Sequence, residues 1–325
     1  MKRRKYMKKE KSFRFIEFYE KFGIIFILVI EFIIFSLASA NFLTIDNLFL
    51  VGRQVSFTGI AAVGMTMVLL MGEIDISVGS ILAFTGCLSA ELVVKYNMPL
   101  VIVFVIIIGV SAVFGLVSGT LTTVFKIPSL ICTLAMQIII KGFTYLMTGG
   151  SSISGLTDSY KFLGQGFILG IIPFPLIIMV IAFICGYIVL NKTYIGRRIY
   201  AVGGNKEAAR LSGIKTNKYV ISTFVMSAVT AGIAGILMMA RLGTGQPSIG
   251  SDFAMDVLTA TVLGGVILQG GKGFVMNVMI GSFIIGILSN GLVMCGVLEY
   301  WQWIIKGVVF LFAVAMSNLS LLRKN

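Results

Sequence analysis

The stretch KTYIGRRIYAVGGNKEAARLSGIKTNK, residues 192–218, is the longest clearly polar run in a chain that is otherwise mostly apolar. It carries seven basic residues against one acid, Glu207, and a long apolar segment flanks it on each side. Because positive charge resists crossing a bilayer, a loop of this kind belongs on the cytoplasmic side of a membrane. We therefore predict a cytoplasmic loop at residues 191–217.

A short helix is predicted inside this loop. Asn205 is a good N-cap, Glu207 lies in the first turn, where the helix dipole favours an anion, and Gly213 suits the position just after the helix. An exposed helix between two membrane spans is a contact surface for a soluble partner. The candidate contact residues are Gly204, Asn205, Lys206, Glu207, Ala208, Ala209, Arg210, Leu211, Ser212 and Gly213.

The composition indicates a chain whose solvent is lipid. Of its 325 residues, 58% are hydrophobic and 12% are charged, whereas about 25% charged residues is usual for a soluble domain. No stretch outside the apolar segments could build a separate core, so we predict one membrane domain at 22–320, a basic cytoplasmic segment at 1–21 and a tail at 321–325. The net charge of +13 does not indicate nucleic-acid binding, because the basic residues cluster at the ends of apolar segments.

The apolar pattern predicts an all-α polytopic membrane protein with about ten transmembrane helices, some short or broken, since about 20 apolar residues cross a bilayer. With a cytoplasmic N-terminus, 20 of the 26 Lys and Arg residues lie on the inner side, and both termini are cytoplasmic. Gly and polar residues interrupt the second, third and eighth segments, so eight spans remain an alternative. The predicted segments are 22–40, 48–71, 76–95, 99–124, 128–147, 168–190, 218–240, 253–268, 274–295 and 300–320.

Motifs for catalysis and nucleotide binding are missing from the sequence. The chain has no His, and its four Cys residues stand alone in apolar runs, which argues against the usual metal sites. The nearest approach to a phosphate-binding loop, residues 265–273, has its Lys one place late and Gly in place of Ser or Thr. We therefore predict that the chain is not an enzyme and holds no cofactor of its own.

A second loop, at residues 72–80, places two acids between apolar runs. Asp75 or Ser77 would cap the helix that follows, with both acids near its positive end. The alternative is that the loop contacts a soluble partner or helps to close the inner mouth of a pathway. The candidate residues are Glu73, Asp75, Ser77 and Gly79.

Ionisable residues inside apolar segments are further candidates for function. Glu31 lies mid-span, where a carboxyl group is either functional or simply protonated. Lys141 and Lys306 lie a few residues from span ends, where a long side chain can snorkel to the interface. Asp252 and Asp256, at the outer start of the eighth segment, either cap a helix or hydrogen-bond a polyhydroxylated solute.

Three ordered stretches resemble one family of membrane proteins. They are GMTMVLLMGEIDISVGS at 64–80, GRRIYAVGGNKEAARLSGI at 196–214 and ARLGTGQPSIGSDFAMDVLTATVLGGVILQGGKG at 240–273. They resemble the signature loop, the cytoplasmic coupling loop and a late glycine-rich stretch of the ribose/galactose/xylose-type permeases of ATP-binding-cassette (ABC) importers. The chain departs from that pattern at Glu73, where the family usually has Gly, and at residues 267–269.

The resemblance implies an assembly and a location. Permeases of that family are commonly homodimers in the bacterial plasma (inner) membrane. They work with a cytoplasmic ATPase, which holds ATP and Mg, and with an extracytoplasmic binding protein that delivers a monosaccharide. The helix at 206–212 would contact the ATPase, and Gln246, Asp252 and Asp256 would lie on or near the solute pathway.

Other interpretations stay open at the level of sequence. The solute could be a nucleoside or a furanone-type signal rather than a sugar, and the dimer could contain two different permeases. A secondary transporter driven by an ion gradient is an alternative of another class. It would need intramembrane carboxylates, of which Glu31 is the one deep candidate, and it would leave the helix at 206–212 without a role.

Overall fold

The computed structural model describes residues 23–322, and most of this range is helical. The predicted segment 1–21 and residues 323–325 of the predicted tail lie outside the described residues. The helices are α1 Gly23–Ala38, α2 Ile45–Leu70, α3 Val78–Val94, α4 Leu100–Thr123, α5 Ser129–Thr148, α6 Asp158–Gln165, α7 Phe174–Tyr187 with a π-helical extension Ile188–Lys192, α8 Tyr194–Gly204, α9 Lys206–Leu211, α10 Thr216–Leu242, α11 Phe253–Leu263, α12 Val275–Met294 and α13 Glu299–Leu322.

Within the described range, 7 helices are long and apolar enough to cross a membrane: α2, α4, α5, α7 with its extension, α10, α12 and α13. Three shorter apolar helices, α1, α3 and α11, occupy the positions of the remaining predicted segments. The predicted α-helical, polytopic architecture is confirmed.

Two predicted segments have different boundaries in the structure. The sixth, 168–190, begins later, because β1 Phe167–Ile168 and β2 Ile172–Pro173 form a small antiparallel hairpin before α7. The eighth, 253–268, ends earlier, because Gly264 and Gly265 follow α11 and Gly265 has a φ of +83°. Eleven residues of helix span roughly 16 Å, about half of the hydrocarbon core.

The centre of the bundle is formed by α2, α10 and α12, whereas α4, α5 and α13 are largely exposed along their apolar lengths. Close backbone contacts hold the outer helices against the centre. A Cβ atom at Gly115 of α4 would lie 2.5 Å from the Phe224 carbonyl oxygen of α10, and one at Gly119 would lie 2.8 Å from the Ile221 Cα. Such close approach is a main source of helix association in lipid.

The two ends of the bundle carry different structures. The α9 end holds α8, α9, the 71–77 loop and the 264–274 loop, and there the Gly271 N–H donates a 2.9 Å hydrogen bond to the Leu70 carbonyl. The opposite end, the α6 end, holds α6 and the hairpin, and there Arg53 donates a 2.7 Å hydrogen bond to the Gln165 carbonyl.

Candidate functional site

The helix α9 has the ends that its sequence predicts. The Asn205 side-chain oxygen accepts a 2.9 Å hydrogen bond from the Ala208 N–H, and Glu207 lies in the first turn. After the last turn, Gly213 has a φ of +80° and the Ile214 N–H donates to a carbonyl within the helix. The predicted short helix is confirmed.

A longer helix, α8, precedes α9 and was not predicted from the sequence. Thr193 caps α8 by accepting hydrogen bonds of 3.1 and 3.4 Å from the first N–H groups of the helix. Ile199 and Val202 are buried, and the Tyr200 hydroxyl donates a 2.9 Å hydrogen bond to the Gly273 carbonyl. The missed signal is a Thr N-cap followed by apolar residues at helical spacing.

The outward face of α9 combines an ion pair with an apolar side chain. Arg210 lies 2.5 Å from Glu207 across one turn, and both side chains are mostly exposed. Leu211, at the end of the helix, is 80% exposed. Because an exposed ion pair contributes at most about 1 kcal/mol to stability, these charges are available for contacts with another protein.

An ion pair links α9 to the loop between α2 and α3. The Lys206 Nζ lies 3.3 Å from a Glu73 carboxylate oxygen, and the Glu73 side chain is only 15% exposed. Two motifs that lie far apart in the sequence are therefore in direct contact. Glu73, which departs from the family pattern, faces the helix at the candidate partner surface.

Behind α9, three stretches of backbone meet at glycines. A Cβ atom at Gly203 would overlap the Leu70 carbonyl oxygen at the end of α2. A Cβ atom at Gly270 would lie 2.7 Å from the Gly72 nitrogen and 3.0 Å from the Gly203 oxygen. We call Gly72, Gly203, Gly270 and Gly271 the glycine junction. The end of α8 is therefore in direct backbone contact with the end of α2 and with the 264–274 loop.

Asp75 joins the loop between α2 and α3 to the centre of the bundle. One carboxylate oxygen accepts hydrogen bonds of 3.0 and 2.5 Å from the Ser77 N–H and hydroxyl, and the other accepts a 2.9 Å bond from the Ser227 hydroxyl of α10. Burial raises the pKa of the Asp75 carboxyl above its ordinary value, and the hydrogen bonds from Ser77 and Ser227 oppose that shift.

The predicted capping of α3 is wrong in its details. Ser77 occupies the N-cap position, but its side chain makes no capping hydrogen bond because it donates to Asp75. The loop is held instead by α5, where Ser129 and Thr133 each accept a 3.2 Å hydrogen bond from a backbone N–H of the loop.

Between α10 and α11, the chain descends into the bundle as the re-entrant segment, residues 243–252. Near its start, Gly245 exchanges two backbone hydrogen bonds with Ile153 and packs against Cys87 of α3. Further on, a Cβ atom at Gly79 would overlap the Gly250 carbonyl oxygen. Gly79 and Cys87 are eight residues apart on α3, so the segment descends about 12 Å along that helix.

Comparison with known proteins places this architecture in a family. Residues 47–314 match a family model described as the permease component of branched-chain amino acid transport systems. The chain belongs to this permease family. No solved structure matches the permease.

Three relatives show how much of the permease is shared. The ribose import permease RbsC of Escherichia coli (strain K12) is 41% identical over 290 residues, 88% of this chain and 89% of that protein. RbsC of Bacillus subtilis (strain 168) is 40% identical over 322 residues, 98% and 99% of the two chains. The D-allose transport system permease AlsC of Escherichia coli (strain K12) is 33% identical over 311 residues, 95% of each. The resemblance drawn from three motifs is confirmed, and the permease is a multi-pass protein of the plasma (inner) membrane.

The three residues assigned to a pathway are on or near the re-entrant segment of the permease, but they face different neighbours. The Gln246 amide donates a 3.2 Å hydrogen bond to Thr244. Asp252 occupies the N-cap position of α11, as predicted, but its side chain makes no capping hydrogen bond. Asp256 turns toward α13, where it accepts a 2.8 Å hydrogen bond from the Lys306 ammonium. The expectation that Lys306 snorkels is therefore wrong, because Lys306 pairs with Asp256 inside the bundle.

Glu31 of α1 lies inside the permease as the sequence predicts. Both of its carboxylate oxygens are buried, and among the described residues neither has a hydrogen-bond partner. A carboxyl group in such surroundings is stable in its neutral form, because an isolated charge is costly to bury.

Proposed function

We propose that this permease forms the membrane pathway of an ABC importer for a ribose-type monosaccharide. The observation that carries the proposal is α9. This capped helix has an exposed surface of charged and apolar side chains, and it contacts the loop between α2 and α3 through the ion pair of Lys206 with Glu73. The solute is inferred from relatives named as ribose and D-allose permeases, one of which is similar along 98% of the chain.

ATP hydrolysis is assigned to a separate ATPase subunit, which holds ATP and Mg. This chain supplies the contact surface, residues 204–213, of which Glu207, Arg210 and Leu211 are the most exposed large side chains. Closure of the ATPase on ATP would displace α9 and α8. The glycine junction and the ion pair of Lys206 with Glu73 would carry that displacement to α2, α3 and the 264–274 loop.

The α9 end and both termini are assigned to the cytoplasm, with α1, α3 and α11 added to the 7 long helices as short spans. The seven basic residues of 192–218 support this orientation, because they lie on and beside α8 and α9. The domain at 22–320 then works as one unit, whose states differ in their affinity for the ATPase and for the loaded binding protein.

A second copy of the permease and an extracytoplasmic binding protein complete the assembly. The surface of α5 supports a second copy. Only 28% of this helix is buried in the single chain, and its exposed part includes polar residues that would be costly to place in lipid. The binding protein is assigned to the α6 end, which lies opposite the ATPase. The binding protein would select the solute before it reaches the pathway.

Reconstitution tests the proposal. The permease, its ATPase and its binding protein are placed in proteoliposomes, and uptake of labelled ribose is measured with ATP, with a proton or sodium gradient alone, and with an excess of unlabelled nucleoside. We expect uptake that requires ATP and the binding protein and that nucleosides do not inhibit. Uptake driven by a gradient alone would contradict the proposal, and inhibition by nucleosides would reassign the solute.

A further inference from the structure

A polar pocket lies inside the membrane domain, beside the re-entrant segment, and none of the residues assigned to the pathway lines it. Its cavity measures about 70 Å³ and lies between α3, α5 and residues 247–251. The polar groups in its wall come from Ser80, Gln137, Lys141, Thr144, Ser248 and Ser251.

Lys141 is the most unusual of these groups. It is the thirteenth residue of α5, about 10 Å of helix before the end at Thr148, which exceeds the reach of a snorkelling side chain. Among the described residues it has no ion pair, whereas Lys306 is paired with Asp256. Because a lysine in hydrocarbon is costly, its place beside a polar pocket indicates an aqueous surface.

The backbone of the re-entrant segment leads to the same conclusion. Residues 244–250 are not helical, yet they descend alongside α3 to the level of Gly79. Irregular backbone at membrane depth is tolerated only where it is buried in protein or lines a water-filled cavity. Ser248 and Ser251 are exposed in the single chain, so this flank of the permease does not face lipid hydrocarbon.

The chemistry of the pocket fits a polyhydroxylated, uncharged solute. Hydroxyl and amide groups both donate and accept hydrogen bonds, and an ammonium group donates three. No carboxylate lines the pocket, so the wall does not favour a cation. A cavity of about 70 Å³ holds a few water molecules and is smaller than a monosaccharide, so it holds water in this conformation and must widen when a solute passes.

We propose that this pocket is the intramembrane site that contacts the hydroxyl groups of the passing solute, with Lys141 as its main specificity-determining residue. The inference rests on the proposed function, because it assigns these residues to the solute pathway of the proposed importer. The second copy of the permease covers the pocket from the open flank, so that water and solute are kept from lipid.

The first test separates passage from coupling. Proteoliposomes containing Lys141→Met or Lys141→Arg are compared with wild type and with Lys126→Met, an exposed lysine between α4 and α5. We expect Lys141→Met to lower ribose uptake about tenfold, the loss typical of one charged hydrogen bond, while hydrolysis of ATP stimulated by the loaded binding protein is unchanged. Lys141→Arg and Lys126→Met should retain most of the uptake. Wild-type uptake by Lys141→Met would overturn the inference.

The second test does not depend on transport. In a variant without the exposed Cys185 and Cys295, Lys141→Cys and Ile139→Cys are treated with a charged, water-soluble thiol reagent. Ile139 lies on a different face of α5 and is 49% exposed, so it serves as the lipid-facing control. We expect rapid reaction at position 141 and none at 139. Lack of reaction at 141 would overturn the inference even if Lys141→Met failed to fold. If the wild-type permease took up no ribose, the proposed function would be wrong. The labelling at position 141 would then still test whether the pocket is open to water.

Discussion

The side chain of Asp75 holds the loop between α2 and α3 against α10. Its two oxygens accept three hydrogen bonds, from Ser77 and Ser227, in a site where the side chain is 1% exposed. Asn has nearly the same shape as Asp and keeps one side-chain oxygen as an acceptor, so it is a close substitute. The oxygen of Asn can keep both bonds from Ser77, and its amide can donate to Ser227.

We therefore expect Asp75→Asn to keep normal transport, whereas Asp75→Ala leaves buried hydroxyl groups without an acceptor and lowers stability by about 1–3 kcal/mol. Protein level in the membrane and solute uptake must be measured separately, because an unstable permease mimics an inactive one. An Asp75→Asn protein present at its normal level that transports nothing would show that the charge itself is used.

The ion pair of Asp256 with Lys306 predicts a different pattern. Each side chain is 22% exposed, and the pair joins α11 to the otherwise exposed α13. Removing one partner, as in Asp256→Asn or Lys306→Met, leaves a largely buried charge and should cost about 3–5 kcal/mol. Thermal unfolding in detergent should show a partial recovery in the double variant. Additive losses in the double variant would mean that the pair does not hold α13.

Local chemistry predicted the ends of α9, whereas contacts with distant partners could not be predicted. The cap at Asn205 and the turn at Gly213 follow from local chemistry, and both are confirmed. The partners of Lys306 and Glu73 are 50 and 133 residues away, so neither pair could be read from local spacing.

At the scale of elements, the contact between α8 and α2 depends on a single missing side chain. A Cβ atom at Gly203 would overlap the Leu70 carbonyl oxygen, whereas nothing lies within 4 Å of a Cβ atom at Gly109 of α4. We expect Gly203→Ala to separate the two helices and to lower uptake while ATP is still hydrolysed, and Gly109→Ala to behave as wild type. Both are measured in proteoliposomes. Equal activity of the two variants would contradict transmission through the glycine junction.

The elements also show where helical periodicity misleads. The eighth apolar segment is predicted as a span at 253–268, but the glycines after Leu263 end α11 at 11 residues. The buried residues of α8, Ile199 and Val202, are hard to recognise in the sequence. Basic residues lie beside them, so the short stretch resembles a charged loop. The pocket beside Lys141 is beyond any local pattern, since it needs two helices and a loop to form it.

For the whole molecule, the first property to measure is its orientation in the membrane, that is, which end of the bundle faces the cytoplasm. Ser212, after α9, and Ser154, before α6, are both exposed and lie at opposite ends of the bundle. In a variant without Cys185 and Cys295, we expect an impermeant thiol reagent added to intact cells to label Ser154→Cys and to leave Ser212→Cys unreacted until the membrane is permeabilised. Labelling of Ser212→Cys in sealed cells would reverse the topology.

In the proposed mechanism, α9 is the element that the ATPase displaces. Glu207 is exposed and pairs with Arg210, while Asp158 and Lys161 form a similar exposed pair on α6 at the other end of the molecule. The two acids thus offer a matched comparison, because reversing either charge should leave the fold of the permease intact.

The most direct measurement is ATP-driven ribose uptake by the reconstituted importer carrying Glu207→Arg, beside wild type and Asp158→Arg, with recovery of the ATPase on the purified permease recorded in each case. We predict that Glu207→Arg lowers uptake severalfold and weakens recovery of the ATPase, whereas Asp158→Arg leaves that recovery unchanged. Full uptake by Glu207→Arg with normal recovery of the ATPase would contradict the claim that the ATPase drives transport through its contact with α9.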